Sequence, residues 1–174
     1  MMEFLHWLED SSVATTISSS VFLYPTILTL HSIGMAFVAG GHTAISLCIL
    51  GVVPGIRLSV LTKYLPFIWF GFYLNLITGV LLVISSATRV LVDPIFFIKL
   101  VFVTLGLIAL RTMRSNLTAS GDLVYSEIGA GAVAAMAPVI SPRMKRLAIL
   151  SIVYWTAAIT FGRLMAYTFY RLWQ

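Results

Sequence analysis

Five polar residues sit inside long apolar stretches of this sequence: His31, His42, Asn75, Lys99 and Arg163. An ionisable group in hydrocarbon costs at least about 2.5 kcal/mol on insertion scales, so such residues are functional candidates by default. His31 and His42 are eleven residues apart. Eleven helical steps of about 100° end about 20° past three full turns, so both imidazoles project from one face, about 16 Å apart along the axis. Met35 follows His31 by one turn and joins the same stripe. Two kinds of centre use such ligands. A haem b iron takes an axial imidazole, and helix bundles hold the macrocycle between facing helices. Cu(I) takes imidazole and thioether, which His31 and Met35 supply within one turn. The plainer reading is that each imidazole hydrogen-bonds a neighbouring helix.

The cations bear on that choice. Lys99 lies about 8 Å inside the third apolar run and Arg163 about 10 Å short of the end of the fourth. Arg89 belongs to the short turn between the second and third runs, so the three gather in one leaflet, with Asp93 the nearby acid. Haem propionates would supply the missing negative charge, whereas an exposed lysine can instead snorkel to the headgroups. Asn75, an amide within the second run, completes the candidate cofactor set of His31, His42, Asn75, Arg89, Lys99 and Arg163. The supply of ligands is short. The chain has three His, and His6 lies outside the predicted core, so at most one bis-His haem fits within one chain. Otherwise the iron is held by His and Met, is five-coordinate, or is completed by another subunit. Met165, close to Arg163, is the candidate opposite ligand. Copper meets no such shortage, since Met1, Met2, Met35 and Met165 are available beside His31 and His42.

These residues are positioned by a chain of 174 residues that is 60% hydrophobic and 10% charged. Soluble domains carry about 25% charged residues, so lipid must cover the apolar surface. The fold class is all-α, an integral membrane four-helix bundle with an N-terminal interfacial helix. Residues 1–19 form an outer-surface amphipathic segment, in which Phe4, Leu5 and Leu8 share a face and Trp7 sits at headgroup level. A Ser/Thr run then leads into the bundle, residues 20–174. The spans are expected at about 20–50, 65–88, 95–112 and 147–170. The first exceeds the hydrocarbon thickness of about 30 Å, and should tilt, kink or project. Pro25 falls near its start, where a missing N–H costs least. Gly34, Gly40 and Gly41 permit close approach of a neighbour. The connection 113–144 includes the small-residue stretch GAGAVAAMAP, too short and weak for a span.

Topology follows from the basic residues. Arg57, Lys63, Arg111, Arg114, Arg143, Lys145 and Arg146 collect on one side, against Arg89, Lys99, Arg163 and Arg171 on the other. The larger group marks the cytoplasm, so both termini face the periplasm across a bacterial inner membrane. Trp7 and Trp173 then fall at the outer interface. The first ten residues are acidic and do not resemble a signal peptide. The formal charge of +5 arises from these span-flanking residues and does not point to nucleic acid. Cys48 is alone, so no intrachain disulfide forms, and within an apolar run it reads as a packing residue. No phosphate loop, paired-Cys zinc pattern or His-Glu-x-x-His helix is present.

The segment LHSIGMAFVAG resembles the His-containing first helix of the CopD-like superfamily of small four-helix bacterial membrane proteins. TGVLLVISSATRVLVDPIFFIKLVFVTLGLIALR is similar to its paired second and third helices, with Thr-Gly in one helix, a short turn, and Lys in the next. ITFGRLMAY resembles the last helix of a bacterial branch of the same superfamily. The likeness runs from about residue 20 onward. It implies a haem or copper site on the first helix, since the superfamily includes copper-uptake proteins and HemJ-like haem-binding protoporphyrinogen oxidases. In HemJ-like proteins a first-helix His and a third-helix Lys are characteristic, and His31 and Lys99 match them. PIFFI before Lys99 lacks the His often found there. The expectation is a haem b electron-transfer or anchor subunit more than a stand-alone enzyme. Its partners would be lipid, other subunits of a membrane redox complex or a second copy of the chain. Copper delivery and a cofactor-free structural subunit are the alternatives.

Overall fold

The computed structural model describes residues 2–53, 64–128 and 141–172. Met1, Arg57, Lys63, the 129–138 stretch and Trp173 lie outside the described residues. Seven helices and no strand occur among those described: α1 (Met2–Glu9), α2 (Ser12–Ser19), α3 (Leu23–Leu50), α4 (Leu65–Ser85), α5 (Ala87–Val90), α6 (Pro94–Ile128) and α7 (Pro142–Leu172). Four of them, α3, α4, α6 and α7, are long and apolar enough to cross a membrane. The protein is a multi-pass membrane protein with an all-α bundle.

Local chemistry sets the helix ends. Pro66 lies in the first turn of α4, and Pro94 and Pro142 open α6 and α7, positions where proline's missing N–H has no intrahelical partner to lose. The Asp93 carboxylate accepts the Ile95 N–H at 2.9 Å, and the Ser141 hydroxyl accepts the Met144 N–H at 3.3 Å. Gly51 ends α3 in the left-handed region at φ 78°, a conformation that glycine adopts without a Cβ clash. Its N–H reaches the Cys48 carbonyl, and the Val52 N–H reaches the Leu47 carbonyl, both at 3.1 Å.

Two boundaries differ from the sequence reading. The Ser/Thr run that leads into the first span, given no structure of its own in the sequence reading, is the helix α2, capped by Ser11, whose hydroxyl oxygen accepts the Ala14 N–H at 3.3 Å. Within it, Thr15 and Thr16 return their hydroxyl protons to Ser11 and Ser12 carbonyls, a bond that lets such residues remain helical. The third long helix does not stop near residue 112 but continues to Ile128, because no proline interrupts the stretch. The N-terminal face also differs: Leu5 is buried, while Phe4 and Trp7 are 61% and 66% exposed and stack with centroids 5.8 Å apart. Glu9 pins this segment to the bundle, its carboxylate accepting from the Thr88 N–H at 2.9 Å and the Thr88 hydroxyl at 2.7 Å.

The four long helices form two hairpins, α3 with α4 and α6 with α7, and the packing of α3 on α7 joins them. The most deeply buried of the four is α3. Its crossing with α4 is a backbone contact. A Cβ added to Gly34 would lie 2.9 Å from both the Asn75 nitrogen and the Gly71 oxygen. Gly41, two turns on, leaves room for Ile68. Gly40 meets nothing within 4 Å, and Ala36 is exposed beside it. The outward faces carry Phe67, Phe70, Ile77, Phe97, Val101 and Ile108, the apolar surface that lipid requires. Gly34→Ala should therefore destabilise the protein by about 1–3 kcal/mol through overpacking. Gly40→Ala should be neutral or stabilising by up to about 1 kcal/mol through helix propensity. Thermal unfolding of both variants in lipid nanodiscs measures the contrast.

Candidate functional site

The α3–α4 crossing places one stripe of α3 against one stripe of α4. His31 and Met35 lie on the first, Asn75 and Thr78 on the second. The His31 Nδ1 is 3.1 Å from the Thr78 hydroxyl oxygen. Which of the two donates follows from the rest of the network. A threonine hydroxyl has one proton, and Thr78 gives it to the Leu74 carbonyl at 2.6 Å. Toward His31 it therefore presents a lone pair. That partner calls for a proton on Nδ1, which assigns the neutral imidazole its hydrogen there and its lone pair to Nε2. Gly79 lets the ring edge approach α4, since a Cβ there would lie 3.1 Å from His31 Cε1. The proton-bearing edge is thus held against α4, and Nε2 lies on the edge beyond Cε1.

Lys99 comes from the other hairpin. It is half-buried and runs along α7 at Gly162, where an added Cβ would lie 3.5 Å from its Cδ and Cε and 3.6 Å from its Nζ. Its charge acts on the His31 ring, so α3, α4, α6 and α7 all contribute to one region. No carboxylate pairs with Lys99 among the described residues. The Asn75 amide nitrogen donates to the Met35 sulfur at 3.8 Å, and its Oδ1 is buried without a partner among the described residues. The region around His31 thus carries an imidazole, a cation and an amide oxygen without a described partner. Counting from Pro94, Leu23 and Ser85, Lys99, His31 and Thr78 lie about 8–12 Å from the end of the bundle that carries α5.

Arg89 and Arg163 are exposed, and Met165 is half-buried on α7. His42 is 1% exposed and faces α7, with Nδ1 3.5 Å from the Ser151 hydroxyl and its ring against Trp155, centroids 4.7 Å apart. The shared face of α3 does not give the two imidazoles a shared neighbour: His31 meets Thr78 of α4, and His42 meets Ser151 and Trp155 of α7. No group of three or more His, Cys, Asp or Glu that could hold a metal occurs among the described residues.

Sequence reasoning missed Thr78, Gly79, Gly162, Ser151 and Trp155. Thr78 and Gly79 are the Thr-Gly of the second span, and Gly162 directly precedes Arg163, so these had a local signal. The roles of Ser151 and Trp155 had none, since a serine and a tryptophan in an apolar helix look like ordinary packing. Thr78→Val should remove the hydroxyl acceptor and leave the imidazole free to exchange tautomers. The ¹⁵N chemical shifts of His31 should change from a single form protonated at Nδ1 to a mixture, while those of His42 stay constant. Comparison with known proteins finds no match to this chain among protein-family models, curated proteins or solved structures, so the chemistry of the region around His31 carries the functional reading.

Proposed function

We propose that the chain is a haem b-binding electron-transfer or anchor subunit of a bacterial inner membrane, with His31 as an axial ligand through Nε2. The observation that carries this reading is the contact of His31 Nδ1 with the Thr78 hydroxyl at 3.1 Å. A ligating histidine is usually oriented by a hydrogen bond from its other ring nitrogen, and Thr78, whose own proton goes to the Leu74 carbonyl, supplies that acceptor here. The resemblance to CopD-like proteins points to the same helix.

The fit of a haem divides the two imidazoles. His31 has a second ring nitrogen, and the half-buried Lys99 is suited to a propionate. The surroundings of His42 do not suit a macrocycle, since Ser151 and Trp155 already close on it. When bound, haem would supply one-electron transfer between a periplasmic redox partner and the quinone pool. The chain's own part is to hold and orient the His31 ring, to offset carboxylate charge with Lys99 and to keep lipid on its outer faces. Copper is the second reading, supported by the single turn that separates His31 from Met35. Against it, the positive charge of Lys99 beside the imidazole repels a bare cation in low dielectric, and the Met35 sulfur already accepts from Asn75.

The protein purified from haem-replete cells should show a Soret band and, on reduction, α and β bands. His31→Ala should abolish them, and Lys99→Met should weaken haem binding roughly tenfold or more, the effect of losing a charge-assisted hydrogen bond. Wild-type protein without a Soret band ends the haem reading. Copper found by elemental analysis would then favour the second reading, and neither cofactor would leave a structural subunit. Positive-inside orientation adds a separate expectation. A thiol reagent that does not enter the cytoplasm should label a cysteine introduced at Ser19 and spare one introduced at Arg114.

A further inference from the structure

Each long helix of the second hairpin carries a stripe that faces away from the bundle, and each stripe ends in an arginine. On α6, Phe97, Val101, Thr104, Ile108 and Arg111 follow one another at steps of four and three residues, the spacing of one helix face. All five are exposed, Val101 and Ile108 at 57% and 54%. Thr104 gives its hydroxyl proton to the Leu100 carbonyl, which suits it to hydrocarbon. On α7, Arg146 precedes Ile149, Leu150 and Val153 by three, four and seven residues, and these too are exposed. In a chain that crosses a membrane, acyl chains cover such faces.

The two arginines lie at similar levels. A Cβ on Gly106 would lie 2.8 Å from Trp155 Nε1, and one on Gly162 would lie 3.5 Å from Lys99 Cδ. These contacts set an antiparallel register, 106 beside 155 and 99 beside 162, which continues to put Arg111 level with Leu150. Arg146 is four residues from Leu150, so the two levels differ by about 6 Å. Pro94, at the other end of α6, is seventeen residues from Arg111, about 26 Å at the helical rise. Hydrocarbon is about 30 Å thick, so both arginines fall at its boundary on the side opposite α5. Arg143 and Lys145, just before Arg146, are exposed as well. The sequence of α7 holds no Asp or Glu, and the first acid of α6 is Asp122, eleven residues past Arg111.

We infer that this end of the α6–α7 hairpin is a binding surface for anionic phospholipid, whose acyl chains lie on the two stripes and whose phosphates meet Arg111 and Arg146. A guanidinium donates two parallel hydrogen bonds to a phosphate. Tails and headgroup belong to one molecule, so the stripe that holds the chains brings the phosphate to the arginine at its end. Every phospholipid has that phosphate, but choline or ethanolamine sets a second cation against Arg143 and Lys145. A headgroup of net negative charge avoids that repulsion and gains from the surplus of basic residues. A soluble polyanion would meet the same cations but would leave the apolar stripes unused, which singles out lipid. Lys99 is twelve residues from Arg111, about 18 Å along α6, so the inference is independent of the haem reading.

Native mass spectrometry of the full chain released from nanodiscs of equal phosphatidylglycerol and phosphatidylcholine tests it. Phosphatidylglycerol should exceed phosphatidylcholine among the retained lipids, and equal retention overturns the inference. Arg111→Gln and Arg146→Gln should each lower that ratio by up to about fivefold, the contribution of one basic residue near an anionic surface. Together they should bring it close to one, and an unchanged ratio in the double variant overturns the inference. Both side chains are exposed, and circular dichroism of the single and double variants separates loss of the surface from loss of the fold. Loss of the preference in inorganic phosphate, but not in sodium chloride of equal ionic strength, would mark a free-phosphate site and overturn the assignment to lipid.

Discussion

The close crossing of α3 and α4 at Gly34 and Gly71 sets the position of the polar groups on both helices. With no side chain at either glycine, the two backbones approach until the Gly34 Cβ position would meet main-chain atoms of α4. That approach brings Asn75 and Thr78 within hydrogen-bond reach of Met35 and His31. Larger residues at the crossing would separate the helices and leave each of these groups alone in an apolar medium. The chain places small residues where backbones must meet and polar residues one or two turns away, where the meeting gives them partners.

The two imidazoles of α3 illustrate how much depends on the neighbour. His31 faces a hydroxyl whose only proton is already committed, and this determines which ring nitrogen is free. His42 faces a serine at long range and an indole whose N–H has no described partner. The first arrangement orients a ring and leaves one lone pair for use. The second encloses a ring between a serine and an indole. Lys99 sharpens the difference, because its charge acts on the ring of His31 and not on that of His42.

Much of the fold was legible in the sequence because hydrocarbon imposes it. The apolar runs marked α3, α4, α6 and α7, and Pro25, Pro66, Pro94 and Pro142 fall in or before the first turns of their helices. Gly34 was legible as a close-approach position. The helix of the Ser/Thr run was not, because hydroxyl-rich sequences are poor helix formers and α2 depends on the Ser11 cap and on bonds back to its own carbonyls. The full reach of α6 was missed for a related reason: charged and polar residues after Arg111 end an apolar run without ending a helix.

By itself the sequence determined that the chain crosses a membrane, which polar residues fall within its spans, and that His31, Met35 and His42 share one stripe of a helix. Those are consequences of composition and of a period of 3.6 residues, which neighbours do not alter. The tertiary structure decided what each of those groups meets. One stripe of α3 faces Thr78 of α4 at one level and Trp155 of α7 at another. The partner of His31, the approach of Lys99 from the second hairpin and the enclosure of His42 all depend on how the helices pack, which no periodicity within a single helix encodes.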